Sequence, residues 1–181
     1  MRTRQPFTIK LAVGVALLGS ALMAKTQHPK TLEDQVRHEI LSVPYIGVFD
    51  NPAFAIDNGV VTLLGQVTQP VEKYNIEQAV KTVKGVAGVD NRIEVLPLSP
   101  FDDQIRYRTL NTLLRSAPLN KYFLGVQPSI RIIVKNGNVT LDGVVLNNLD
   151  RQVAYMAVNG VSGVFSVTNN LRTEGELNRV R

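Results

Sequence analysis

The chain has 181 residues, room for one ordinary domain or two small ones, and its 44% hydrophobic and 19% charged content describes a folded, soluble protein. It has no cysteine and only two histidines, His28 and His38, which excludes disulfides, thiolate metal sites, a cysteine nucleophile and a lipid-modified N-terminal cysteine, and leaves little room for a histidine-based metal centre or relay. The net charge of +5 is uneven: +5 over residues 1–30, −4 over 31–97 and +4 over 98–181, so an acidic middle precedes a basic C-terminal half suited to an anionic partner.

Arg2, Arg4 and Lys10 precede 14 uncharged residues, Leu11 to Ala24. That run is short of the roughly 20 apolar residues a membrane span needs and matches the apolar core of a secretory signal. Residues 1–24 therefore read as a signal peptide, with Ala24 or Ala21 before the cleavage point, and residues 25–30 as a linker. The competing reading is an uncleaved N-terminal anchor. Both place the folded part beyond the inner membrane, in the periplasm or at a membrane surface there, and without cysteine it is not a lipoprotein.

The rest is an internal repeat. Asn58 to Val67 (NGVVTLLGQV) matches Asn136 to Val145 (NGNVTLDGVV) at an offset of 78, and the offset continues through Lys73/Arg151, Val80/Val158, Gly85/Gly163, Val89/Val167 and Asn91/Asn169. Upstream, Asp34-Gln-Val-Arg37 matches Asp103-Gln-Ile-Arg106 at an offset of 69, so the second copy carries nine extra residues between its first helix and first strand. The units are residues 31–97 and 101–174, joined by 98–100, with 175–181 as a C-terminal tail.

Each unit opens with an apolar stripe at helical spacing: Leu32, Val36 and Ile40, then Ile105, Leu110, Leu113 and Leu114. Asp34, Asp102 and Asp103 fall in the first turns and read as helix-capping acids. Alternation follows: Phe54 and Ile56, then Val61, Leu63, Gly65 and Val67, around Asn58-Gly59; in the second copy Ile130, Ile132 and Val134, then Val139, Leu141, Gly143 and Val145, around Asn136-Gly137. Asn-Gly between alternating runs signals a two-residue hairpin, because both turn residues need positive φ. Arg131, Lys135, Asn138, Thr140 and Asp142 alternate on the opposite face, which is expected to be largely wet.

A second helix begins at Pro70 and at Asn147/Asn148, with inner stripes Ile76, Ala79, Val80, Val83 and Ala154, Ala157, Val158, Val161. Gly85 and Gly163 sit where a left-handed C-cap is expected. A last strand holds Val89, Ile93 and Val95, or Val167 and Leu171. The fold is α+β: two tandem αββαβ units, each a three-stranded sheet with two helices on one face.

A leading helix, then Asn-Gly-x-Val-Thr-Leu-x-Gly-x-Val, a helix and Gly-Val-x-x-Val-x-Asn resembles the BON domain (bacterial OsmY and nodulation), and both copies carry the pattern. The resemblance implies an exported, non-catalytic protein that binds anionic phospholipid membranes or other envelope proteins and supports envelope integrity or osmotic stress tolerance. The alternative is a soluble periplasmic protein-interaction or chaperone-like module. Gly65 and Gly143 are the signature glycines; a glycine on the inward face of the second strand removes a side chain where a helix must approach. With Gly59, Gly85, Gly137 and Gly163 they form the structural glycine set.

No motif for catalysis is present, and no cofactor is expected. Gly85-Val-Ala-Gly88 and Gly160-Val-Ser-Gly163 have the Gly-x-x-Gly form of nucleic-acid-binding KH loops, but they lie between helix and strand and at non-equivalent positions of the repeat, so nucleic acid is not expected as a partner. His38, between Arg37 and Glu39, reads as a solvated surface histidine. The candidate lipid-binding residues are Arg106, Tyr107, Arg108, Arg115, Lys121, Tyr122 and Phe123, since cations beside aromatic rings suit an anionic bilayer interface. Glu33, Asp34, Glu39 and Asp50 make the comparable region of the first copy acidic. The competing reading packs Tyr122, Phe123 and Leu124 onto the extra loop or the other domain.

Overall fold

The structure, a computed structural model, describes residues 31–125 and 127–177. The expected signal peptide and linker, and the end of the tail, lie outside the described residues. In the first unit α1 (Leu32–Ser42) leads to the hairpin β1 (Asn51–Asp57) and β2 (Val60–Val67), then α2 (Pro70–Lys81) and the short strands β3 (Gly88–Asn91) and β4 (Glu94–Val95). The second has α3 (Pro100–Arg115), a 3-10 turn (Asn120–Phe123), the hairpin β5 (Ile130–Lys135) and β6 (Asn138–Val145), α4 (Asn148–Asn159), β7 (Ser166–Thr173) and a last turn α5 (Glu174–Leu177). Both units follow the expected αββαβ order, but the last strand of the first is broken into β3 and β4, which pair in turn along β2, so that sheet has four strands and the second has three.

The middle strand of each sheet is antiparallel to its hairpin partner and parallel to the last strand, which returns through the second helix. Apolar residues at period two on β2 and β6 meet the stripes of the two helices. Val61, Leu63, Val67, Ile76 and Val80 are fully buried in one core, and Val139, Leu141, Ala154 and Val158 in the other. Asn91 and Asn169 fasten the last strand to the helix before it: their Nδ2 groups donate to the carbonyls of Lys73 and Arg151, each at 3.0 Å.

Four expectations change. The neighbour that demands glycine at 65 and 143 is a strand, not a helix. Their φ values are +91° and +125°, and a Cβ would lie 2.0 Å from the carbonyl oxygen of Asn51 or Ser129, where β1 and β5 begin. Gly85 and Gly163 have the expected positive φ but follow helices that already end at Lys81 and Asn159, in a further turn. The Asn58-Gly59 and Asn136-Gly137 turns have positive φ at both residues, as the sequence predicts.

Asp102 does not cap α3; Ser99 does, accepting the Asp102 amide at 3.1 Å. The Asp102 carboxylate is 1% exposed and accepts the Asn136 and Gly137 amides, each at 2.8 Å, so it clamps the hairpin turn. Asp102→Ala leaves those two donors without their partner and is expected to cost about 2–4 kcal/mol. Glu33→Ala, at the equivalent position in the first unit but exposed and paired only with Arg37, is expected to stay within about 0.5 kcal/mol. Urea unfolding followed by circular dichroism distinguishes the two.

Finally, the outer face of the second sheet is not uniformly wet. Ile133 is 6% exposed and Arg131 half-buried. The first unit lies along the free edge of β5: the Ile132 amide donates to the Val48 carbonyl at 2.8 Å, and Arg131 Nη1 donates to the Gly47 carbonyl at 2.6 Å. Val48 and Phe49 pack against the second core. An edge strand that would otherwise present unpaired amides is thereby covered.

Candidate functional site

Helix α3 is the element on which the candidate residues depend. Its inward line is Ile105, Thr109 and Leu113, all fully buried. At 100° per residue, Phe101, Arg108 and Arg115 fall seven apart along one flank, while Tyr107 and Leu114 fall on another. The helix therefore divides the expected patch.

Arg108 and Arg115 remain exposed and on the same flank. Arg108 Nη1 donates to the Ser162 carbonyl and Nη2 to Gln104 Oε1, both at 3.2 Å. The two arginines, with Asn111, Thr112 and the Gly160–Ser162 turn, line a shallow cavity of about 340 Å³. Arg106 is absent from this surface. Next to Ile105 on the helix, it is 4% exposed, and its guanidinium is held between the Asp103 carboxylate and the Val134 carbonyl, the latter at 2.8 Å. Tyr107 is 61% exposed but turns toward the first unit, where its ring meets Phe49 edge to face at 5.5 Å.

The segment after α3 folds inward. Tyr122 is 7% exposed and belongs to the second core beside Leu119, with Phe123 half-buried against it. The Tyr122 hydroxyl donates to Asp150 and accepts the Leu146 amide at 2.9 Å. Lys121 lies 2.9 Å from Asp150 and 5.0 Å from the Tyr122 ring centroid. The hydrogen bond from Tyr122, then that from Lys121, holds the Asp150 carboxyl below its ordinary range, while burial, then the bond to Asp150, pushes the Tyr122 phenol up. These residues hold the extra loop onto the N-terminal end of α4, and Leu124, 79% exposed, projects from it.

Two aromatic residues outside the expected set stand at the Arg108 end of this flank. Phe101 is 55% exposed and Phe165 85%. Both flank the glycine turns at the end of the domain: a Cβ at Gly163 would lie 3.5 Å from Phe101 Cζ and 3.7 Å from Arg108 Nη1, and one at Gly137 would lie 3.6 Å from Phe165 Cβ. At the repeat offsets the first unit carries Leu32, Glu39 and Ala87 in place of Phe101, Arg108 and Phe165. The same fold thus presents two rings and a cation in one copy, and a carboxylate with two aliphatic groups in the other.

Among the described residues no group of three or more histidine, aspartate or glutamate side chains is arranged to hold a metal ion. No described helix is long and apolar enough to cross a membrane.

The family model for the BON domain matches residues 30–97 and again residues 102–175. The chain belongs to the BON-domain family, with two such domains in tandem. Among solved structures it is similar to CdsD, a structural protein of the type III secretion system of Chlamydia trachomatis, at 14% identity over 82% of this chain and 96% of that one, with a TM-score of 0.32. It is also similar to the CdsD C-terminal domain, at 14% identity over 80% and 98% of the two chains, with a TM-score of 0.31. No curated protein matches.

Proposed function

We propose that this is a non-catalytic protein of the bacterial envelope that docks on anionic phospholipid surfaces through the end of its second BON domain. Arg108 and Arg115 meet headgroup phosphates, and Phe101 and Phe165 sit at the polar–apolar boundary. The observation that carries this reading is the difference between the copies: the exposed Phe101, Arg108 and Phe165 against Leu32, Glu39 and Ala87 at equivalent positions. The first domain, with a net charge of −4 over residues 31–97, is repelled by the same surface. Of the residues first picked out by composition, Arg106 and Tyr122 support the domain rather than touch lipid.

Co-sedimentation of the purified protein with vesicles tests this. Binding is expected with phosphatidylglycerol and not with phosphatidylcholine alone, and to weaken as salt rises. Arg108→Glu with Arg115→Glu is expected to lower the bound fraction at least about tenfold, given roughly 1 kcal/mol per basic residue near an anionic surface. Glu39→Lys in the first domain is expected not to abolish binding. Absence of vesicle binding at low salt overturns the lipid reading. Suppression of client-protein aggregation would then favour a protein-interaction role, for which the cleft between the domains, lined by Phe49, Val71, Leu98 and Tyr107 in a volume of about 700 Å³, is the apolar surface.

A further inference from the structure

The two domains treat one buried carboxyl group differently. Glu72 and Asp150 are equivalent residues in the first turns of α2 and α4, 1% and 4% exposed. Asp150 meets a hydroxyl and an ammonium, from Tyr122 and Lys121. Glu72 meets a second acid. Asp50, 2% exposed, faces it across the start of α2 and accepts the Gly47 amide at 2.8 Å, the Thr68 amide at 2.7 Å and the Thr68 hydroxyl at 2.9 Å. Glu72 accepts the Gln69 amide at 3.0 Å.

Two carboxyl groups enclosed together cannot both ionise cheaply, so the pair retains a proton to a higher pH than either would alone. The charged groups around it do not relieve this. Arg131, reaching across from β5, interacts electrostatically with Asp50 and sets one positive charge against two carboxyl groups. Asp103 and Arg106 of α3 line the cleft with Thr68 and Gln69 but are already paired with each other. Lys73, on α2 itself, acts on Glu77 and is not among the groups shifting Glu72. Burial first, then the negative charge of Asp50, pushes the Glu72 carboxyl up to about 7.

The position of the pair gives it a consequence. Asp50 holds the Gly47 amide, while the Gly47 and Val48 carbonyls accept Arg131 and the Ile132 amide from the second domain. We propose that the Asp50–Glu72 pair is a proton-dependent latch on the joint between the two BON domains. With one shared proton, the 47–50 loop is held and the edge of β5 is covered. When the proton is lost, the second enclosed negative charge drives the loop outward and uncouples the domains.

The chain has no cysteine, so Lys84→Cys with Asn159→Cys provides a clean spin-label pair, one label on each domain. The expected result is a narrow distance distribution at pH 5.5 that broadens at pH 8.5, and stays narrow at both pH values when Glu72→Gln is added. In parallel, the protection factor of the Ile132 amide is expected to fall at least about tenfold between pH 6 and pH 8, the change one unit of ionisation allows, while amides of the central strand β6 keep theirs. If Glu72→Gln fails to fold, Asp50→Asn serves the same purpose. An unchanged distribution across pH, the same broadening in the carboxyl variant, or an equal loss of protection throughout the second domain each overturns the proposal.

Discussion

Gly143→Ala is expected to cost the second domain more than about 3 kcal/mol and to prevent folding where that exceeds its margin. Two penalties combine. A φ of +125° is outside the region an L side chain adopts readily, and the new Cβ would sit 2.0 Å from the Ser129 carbonyl oxygen. That oxygen accepts the Val144 amide at 3.0 Å, so it cannot retreat without opening the β5–β6 ladder. Gly65→Ala repeats the collision in the first domain, against Asn51. Gly137→Ala separates the two penalties: φ is +75°, but the nearest atom to its Cβ is 3.6 Å away, so only strain of about 1 kcal/mol is expected. Gly88, with neither positive φ nor close neighbour, tolerates alanine. Thermal unfolding followed by circular dichroism should show a shift of more than about 12 °C for Gly143→Ala and about a third of that for Gly137→Ala. Equal shifts for the two would mean that the carbonyl yields.

Periodicity made the fold legible because local pattern and tertiary placement agree. Leu63, Val67, Ile76 and Val80 are buried where alternation and helical spacing put them, and Asn-Gly turns need nothing beyond their own backbone. The glycines at 65 and 143 were legible as positions but not as causes, since the atom they avoid lies at the first residue of β1 or just before β5, 14 residues earlier in each case. The site was harder for a different reason. Composition along α3 does not say which flank of the helix a cation occupies, and Arg106, one residue from Ile105, is drawn under the surface by the Val134 carbonyl. Tyr122 lies in an insertion without a periodic signal, and its burial comes from Asp150, 28 residues away. Phe101 and Phe165 are brought near each other by two turns and a strand, although the seven-residue spacing of Phe101 and Arg108 could have placed those two on one flank. Nothing in the local sequence separates Asp50 and Glu72 from the other acids of the first domain, because they meet only when the start of α2 packs against the 47–50 loop.

The buried acid pair also sets how the first domain responds to pH, independently of the joint. The Glu72 carboxyl rises from 4.5 to about 7 on folding, through burial and then the charge of Asp50. The folded state therefore binds the proton more tightly than the unfolded chain does. The stability linked to this proton is fully present below pH 4.5, falls as the unfolded chain releases its proton between pH 4.5 and 7, and is flat above that. The integrated loss is about 3 kcal/mol. Glu72→Gln keeps a neutral group of the same shape, able to accept the Gln69 amide and to donate toward Asp50. It is expected to match the parent protein at pH 4 and to exceed it by about 3 kcal/mol at pH 8, with a nearly level profile between for this group. Asp150→Asn is the opposite case: that carboxyl is lowered by Tyr122 and Lys121, so its contribution is present at neutral pH and lost in acid, and the variant is expected to be less stable than the parent at pH 7. Urea midpoints measured from pH 4 to pH 8 carry both signs in one series. A Glu72→Gln variant that weakens the protein equally at pH 4 and pH 8 would mean that the pair is held by its hydrogen bonds as an ionised couple, and that Arg131 compensates both charges rather than one.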